Sequence, residues 1–353
     1  MPNITPELGL AIAVDSDDTA TYLETNLGGS LTTVDSLFNA SSGHTHSGAH
    51  QGGPITSAGV ADGSLTNAKL GPDVARANLL TNGGFEIWQR GNGPFTGGVF
   101  SADRWVASIA GTDTLSISKD TTNVDSAQGS TAAAACTFTL GTGAGNTAII
   151  QQLKSNDYPQ LQNLTFSASM RVRTSTANAV RLGFYNGSTW TYSAMHPGDG
   201  TWRTLTATGT AIAAPAVVQP AVFFAASCTA YLDNANLVVG SQPANYMALH
   251  PGDELARAQR YYEIIGIQPG AFNFTVYQAA GTAVWLPIQF RTSKAVNPTL
   301  TKNGTWPVAN CNQPSFVGGG PDLFSIGATA TATGTVSFNN SVSGCTVTAE
   351  ANP

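Results

Sequence analysis

The stretch 164-LTFSASMRVRT-174 decides the fold because it is one of a series. Around it stand 114-TLSISKD-120, 135-ACTFTL-140, 179-AVRLGFY-185, 202-WRTLTATGT-210, 221-AVFFAAS-227 and 230-AYLDNANLVV-239. Each is a short β-prone run, and Gly, Asn and Asp separate them. Short strands at regular spacing between turn formers predict an antiparallel sandwich of two sheets, placed over residues 79–246. Beyond it, 251-PGDELARAQRYYEII-265 reads as one helix, with Asp253 as N-cap and Leu255, Ala258 and Tyr262 on its buried face. The β texture then resumes in 272-FNFTVYQ-278, 283-AVWLPIQF-290, 299-TLTKNGT-305 and 334-GTVSFNN-340. Residues 247–353 are therefore expected to form a second β-sandwich domain with that helix at its start. The predicted class is mainly β.

Upstream the chain is different. In residues 1–42, Asp17 and Asp18 offer an N-cap, and Leu23, Leu27, Leu31, Val34 and Leu37 follow at spacings of four and three. That predicts a helix, or a pair broken at Gly28–Gly29, whose narrow stripe suits docking onto a partner. Residues 43–78 begin with 43-GHTHSGAHQGG-53, which holds three of the five histidines among small residues. After it Ile55, Val60, Leu65 and Leu70 recur every fifth position. Neither a helix nor a flat strand puts every fifth residue on one side. A chain wound with two or more sister chains around a shared axis can, so the segment reads as a thin intertwined shaft, which the resemblance given below makes trimeric. A plain Gly/Ser linker is the alternative.

Composition narrows the function. Of 353 residues 42% are apolar, enough for real cores, but only 10% are charged, against roughly 25% in typical soluble proteins. The net charge of −6 and the lack of a Lys/Arg run argue against nucleic acid or an anionic membrane as partner. No apolar run approaches the roughly 20 residues of a membrane span. "MPNITPELG" has neither a basic nor an apolar leader segment, so release by lysis is expected. Cys136, Cys228, Cys311 and Cys345 form no C-x-x-C pair. They are read as four buried thiols, with a Cys311–Cys345 disulfide as the alternative.

Three stretches together resemble phage tail fibres. They are "GHTHSGAHQGGPI", then "NAKLGPDVARANLLTNGGFEIWQRG" with "FSADRW", and finally "ELARAQRYYEIIG" with "AVWLPIQFRTSKAVNPTLT". The resemblance implies a homotrimer in the virion, assembled in the host cytoplasm, with its N-terminal region held by other tail or baseplate proteins. It implies host attachment through a surface glycan or protein. Residues 79-LLTNGGFE-86 and 230-AYLDNANLVV-239 are also similar to the first and last strands of jelly-roll carbohydrate-binding modules. There a Glu and an Asp hold a structural calcium with backbone carbonyls. Here those residues are Glu86 and Asp233, and Asn234 stands where the modules often have a second Asp.

In H-x-H on an extended chain, His44 and His46 point the same way. Three chains would supply six nitrogens, an octahedral set for iron(II), nickel or zinc on the trimer axis. A His-rich linker, or one zinc held within a single chain, are the other readings, and His50 has no assigned role. Among aromatic residues, Trp190 lies between turn signals with Tyr185 and Tyr192, which makes these three the candidate sugar platform. Trp105 and Trp202 are expected in the core, while Trp285 and Trp306 are left open. His196 and His250 precede prolines and read as turn chemistry. No G-x-S-x-G or H-E-x-x-H occurs, no carboxylate pair stands in an apolar frame, and 141-GTGAGNT-147 lacks a phosphate-loop context. The expectation is a binding fibre and not an enzyme. A purely structural virion protein is the alternative, and a polysaccharide depolymerase a less favoured one.

Overall fold

The computed structural model describes residues 76–353 together with Asn3–Ile4 and Ala11–Ile12. The latter two are short strands, β1 (Asn3–Ile4) and β2 (Ala11–Ile12), paired antiparallel within a unit spanning Met1–Thr66. The expected helix over residues 17–37, His44, His46 and His50, and the repeat from Ile55 to Leu70 lie outside the described residues. Asn67–Pro353 form a second compact unit.

Its first part is a sandwich. The strands are β3 (Phe95–Thr96), β4 (Val106–Ser108), β5 (Thr114–Asp120), β6 (Ala133–Thr139), β7 (Thr147–Ile150) and β8 (Leu153–Lys154). They continue as β9 (Thr165–Thr174), β10 (Val180–Tyr185), β11 (Trp190–Tyr192), β12 (Arg203–Thr210), β13 (Val217–Phe224) and β14 (Cys228–Val239). One sheet runs β11-β10-β13-β7-β4, with β8 on β13, and the other runs β12-β9-β14-β6-β5-β3. All pairings are antiparallel. Alternation explains why these runs form sheets with one buried side. Phe166, Ala168, Met170 and Val172 of β9 face Val180, Leu182 and Phe184 of β10 and Val222 and Phe224 of β13 in one core. The intervening β9 residues carry hydroxyls matched across the strand pair, Ser167 to Thr208 at 3.0 Å and Thr165 to Thr210 at 2.9 Å.

The second part begins with α1 (Pro251–Gln259). The nine strands after it are β15 (Tyr262–Ile265), β16 (Asn273–Gln278), β17 (Ala283–Gln289), β18 (Thr299–Lys302), β19 (Val308–Ala309), β20 (Ser315–Gly318), β21 (Leu323–Thr329), β22 (Gly334–Asn339) and β23 (Val347–Glu350). They form three antiparallel three-stranded sheets, β15-β23-β18, β16-β22-β19 and β17-β21-β20. A second core, with Trp306, Phe324, Ile326, Phe338 and Val347 at its centre, lies among them. The molecule is mainly β, and α1 is the single α-helix among the described residues.

The helix departs from expectation at both ends. It stops at Gln259, because Tyr262–Ile265 pair with Val347–Glu350 instead of extending it. His250, not Asp253, is the N-cap: its Nδ1 accepts the Gly252 N–H at 3.2 Å, and Pro251 fills the first helical position. The buried helix side chains are Glu254, Ala258 and Gln259, with Leu255 only half-buried. All four cysteines are buried free thiols.

Polar contacts join the two cores. Arg90 pairs with Asp103 at 3.3 Å and Glu350 at 2.5 Å, its guanidinium 3.6 Å from the Tyr262 ring centroid. Arg104 lies 3.7 Å over Tyr261, while Asp157 binds both Arg260 and the Tyr261 hydroxyl.

Candidate functional site

The first sheet has a second side, turned away from the core. Because Val180, Leu182 and Phe184 point inward, Arg181, Gly183 and Tyr185 must point outward. Their cross-strand neighbours complete the face. Gly183 sits between Tyr192 and Ala221, Tyr185 between Trp190 and Gln219, and Arg181 opposite Phe223. Trp190 and Tyr192 stack with centroids 6.2 Å apart at 15°. Trp190 also meets Tyr185 at 5.2 Å and the edge of Phe223 at 4.9 Å. The structure thus brings together all three residues expected as a sugar platform, on the edge strand β11 and its neighbour β10.

Three features hold the rings in place. Gly183 leaves the space they occupy: a Cβ there would lie 2.8 Å from Phe223, 3.1 Å from Trp190 and 3.1 Å from Tyr192. Phe223, Ala221 and Ala148 form a small buried cluster beneath Trp190. The Arg181 guanidinium stacks 3.8 Å over Tyr192, a cation–π contact that limits ring motion. Tyr192 remains 39% exposed, so the row is reachable from solvent. Along the same face Arg181 Nε and Gln219 Oε1 have no hydrogen-bond partner within the chain. Both atoms are buried, so what this face offers a ligand is the aromatic row itself, suited to a ring with an apolar face.

Phe223, Arg181, Gly183 and Gln219 escaped the sequence reading. One signal was present for the first: in "AVFFAAS" two adjacent phenylalanines on one strand must face opposite sides. Phe224 takes the core and Phe223 the outer face. The other tryptophans separate clearly. Trp105 is fully buried, stacked on Phe85 at 4.8 Å and donating to the Asn82 carbonyl. Trp202 stands just ahead of β12 and is half-buried, not a strand residue of the core. Trp306 is buried, whereas Trp285 is 41% exposed. His196 is buried and accepts the Gly198 N–H at 2.9 Å, as its turn position implied.

Glu86 closes the "TNGGFE" turn, within range for its charge to act on Asp233. Asn82 and Phe85 adopt positive φ, and Gly83 and Gly84 allow Ala235 and Tyr246 to approach closely. The Asn82 side chain closes the turn on the Ile87 N–H and carbonyl, and its backbone N–H is held by Glu254. Asp233 lies beside a bulge where β14 shifts register against β9. Its Oδ1 accepts the Asn234 N–H at 2.7 Å, while Oδ2 is buried with no partner. Burial lifts this carboxyl to about 7, with help from the Asp125 and Glu86 charges and against the Ser130 and Asn234 hydrogen bonds. Glu86 is exposed and accepts from Thr131 at 3.0 Å. Among the described residues no group of three or more His, Cys, Asp or Glu is placed to hold a metal. A cation here would rely on these two carboxylates and backbone carbonyls. The orphaned, buried Oδ2 of Asp233 fits a hard cation that takes oxygen ligands.

No protein-family model matches the chain, and no curated protein matches it. Solved structures do resemble it at low similarity. A xylan-binding CBM22-1 domain of Paenibacillus barcinonensis Xyn10C aligns with 48% of this chain and 98% of its own, at 14% identity and TM-score 0.32. TmCBM61, solved with β-1,4-galactotriose, covers 46% and 99%, at 12% identity and TM-score 0.31. The enzymatically active domain of bacteriophage CBA120 tailspike protein 4 covers 46% of this chain and 21% of its own, at 11% identity and TM-score 0.32. At these scores the likenesses carry no functional argument.

Proposed function

We propose that the protein binds a glycan on the outer face of its first sheet without turning it over, as a homotrimeric phage tail fibre attached to the virion. The observation that carries the glycan reading is the stacked Trp190–Tyr192 pair, seated over Gly183 and braced by Phe223 and Arg181. Pyranose rings present an apolar C–H face that stacks on such a row, and rings already fixed lose little entropy on binding. Tyr185 extends the platform. The fibre reading is supported by the resemblance of residues 43–105 and 254–301 to tail-fibre sequences. In it, the N-terminal region docks on tail or baseplate proteins, and the particle is assembled in the host cytoplasm and released by lysis. His44 and His46 of three chains hold iron, nickel or zinc on the axis, and Glu86 and Asp233 hold calcium with backbone carbonyls.

The test is binding of the full chain to an array of surface glycans. Trp190→Ala/Tyr192→Ala is expected to lose at least tenfold in binding to the glycan that the sandwich face takes, with the thermal transition kept. Undiminished binding by that variant to every glycan removes the platform from this face. Absence of binding by the native chain to any glycan favours a purely structural fibre.

A further inference from the structure

An exposed indole lies on the other sandwich. In β17, Leu286 and Ile288 pack into the C-terminal core, so Trp285 and Pro287 face outward. Likewise Phe324 and Ile326 turn Ser325 and Gly327 of β21 outward, and Phe316 does the same for Ser315 and Val317 of β20. Register assembles these into two rows, Trp285–Gly327–Ser315 and Pro287–Ser325–Val317. Trp285 lies across Gly327: a Cβ there would come within 2.1 Å of the Val284 carbonyl oxygen, 2.5 Å of the Trp285 Cε3 and 2.7 Å of its Cδ2. Gly327 does not adopt positive φ, so what the position requires is space, for the Val284 carbonyl and for the ring beside it. The indole is pinned on one side by the strand and is 41% exposed on the other.

The surroundings select the ligand. β17, β20 and β21 contain no Asp, Glu, Lys, Arg or His. The polar groups of this face are hydroxyls and an amide, from Ser315, Ser325, Thr329 and Gln289. Its apolar side chains around Trp285 are only Pro287, Val317 and Ala283, a smaller apolar patch than the buried core of a protein interface presents. A fixed ring, a rim of neutral hydrogen-bonding groups and strands without an ionised side chain match an uncharged sugar better than an anionic lipid or a protein. Trp190 against Gly183 and Trp285 against Gly327 both set an indole close over a strand glycine, on two separate cores. We propose that the β17-β21-β20 face is a second carbohydrate site, taking a neutral pyranose on Trp285 and independent of the face on the first sandwich.

The experiment uses the full chain on an array carrying neutral, sialylated and sulfated glycans. Four proteins are compared: native, Trp285→Ala, Trp190→Ala/Tyr192→Ala, and the triple variant. Trp285 is exposed, so its substitution is expected to leave the thermal transition in place, and Trp285→Phe is included as a partial rescue. The Trp190→Ala/Tyr192→Ala protein is expected to keep binding at least one neutral glycan, and the triple variant to lose at least tenfold of it. Equal binding by the double and triple variants, or preference of the Trp285-dependent signal for charged glycans, overturns the proposal. So does absence of any neutral-glycan binding. Light scattering reads the competing occupant: a smaller oligomer for Trp285→Ala assigns the face to a second copy of the chain and also overturns it. If Trp190→Ala/Tyr192→Ala changes nothing while Trp285→Ala abolishes binding, only the first-sandwich reading fails.

Discussion

Asp233 places a carboxylate oxygen inside the sandwich wall with no hydrogen bond to it. A carboxyl whose folded value stands near 7, above its ordinary 3.8, holds its proton more tightly folded than unfolded. Its effect on stability is therefore most favourable below about pH 4, declines as pH rises from about 4 to about 7, and is flat beyond. Asp103, lifted by burial to about 6 against the pull of Gln89 and Arg90, adds a decline of the same sign over a narrower window. Urea unfolding at several pH values is expected to show this fall, and Asp233→Asn to make it shallower while Asp103 retains its share. At pH 8 calcium is expected to stabilise the native protein and leave Asp233→Asn unchanged. An equal pH slope in the two proteins would contradict the buried-carboxyl account, and an equal calcium response the cation site. Glu86 and Asp233 drew notice only through the likeness of their two stretches to carbohydrate-binding modules. Gly183 and Gly327 were not legible, because nothing local tells a glycine under an indole from the other 36 of the chain's 38 glycines.

The strands were the legible elements, since each run alternates in a way that leaves one face to bury. The corner between α1 and β15 was not. "ARAQRYYEII" satisfies helical periodicity throughout, and only the distant partner Val347–Glu350 draws Tyr262–Ile265 into a sheet. That competition is tertiary, so no local propensity reveals it. The corner is locked by an ion pair: Lys294 Nζ lies 2.5 Å from Glu263 and 2.6 Å from the Gln259 carbonyl that ends the helix, with both side chains almost fully buried. Removing one partner of such a pair strands a charge in the interior. Lys294→Met is expected to cost about 3 kcal/mol in denaturant unfolding, because Arg291 at 3.8 Å compensates Glu263 only weakly. Lys294→Met/Glu263→Leu is expected to cost less than the single change. A double variant worse than the single would mean that the pair supplies net stability beyond its own desolvation.

On the scale of the whole molecule the proposed function raises the question of how shallow aromatic faces would yield firm attachment. A single stacked indole with a few neutral hydrogen bonds gives weak binding, and a chain with 10% charged residues gains little from electrostatic steering. Copies of the same face on one rigid body raise the effective concentration of each further contact, multiplying affinity by about 10²–10⁴ without new chemistry. The Arg90, Arg104 and Asp157 contacts tie the two sandwiches together through charged groups half-buried or buried at the junction. Multiplication of the faces requires the trimer that the His-rich segment suggests. Light scattering combined with metal analysis is expected to give a trimer with one transition-metal ion per three chains. His44→Ala/His46→Ala is expected to lose the metal and weaken the trimer, and glycan retention on a multivalent surface should then fall far more than affinity for a soluble monovalent sugar. A metal-free monomer as the native state would remove the axial site, and attachment would rest on the affinity of individual faces.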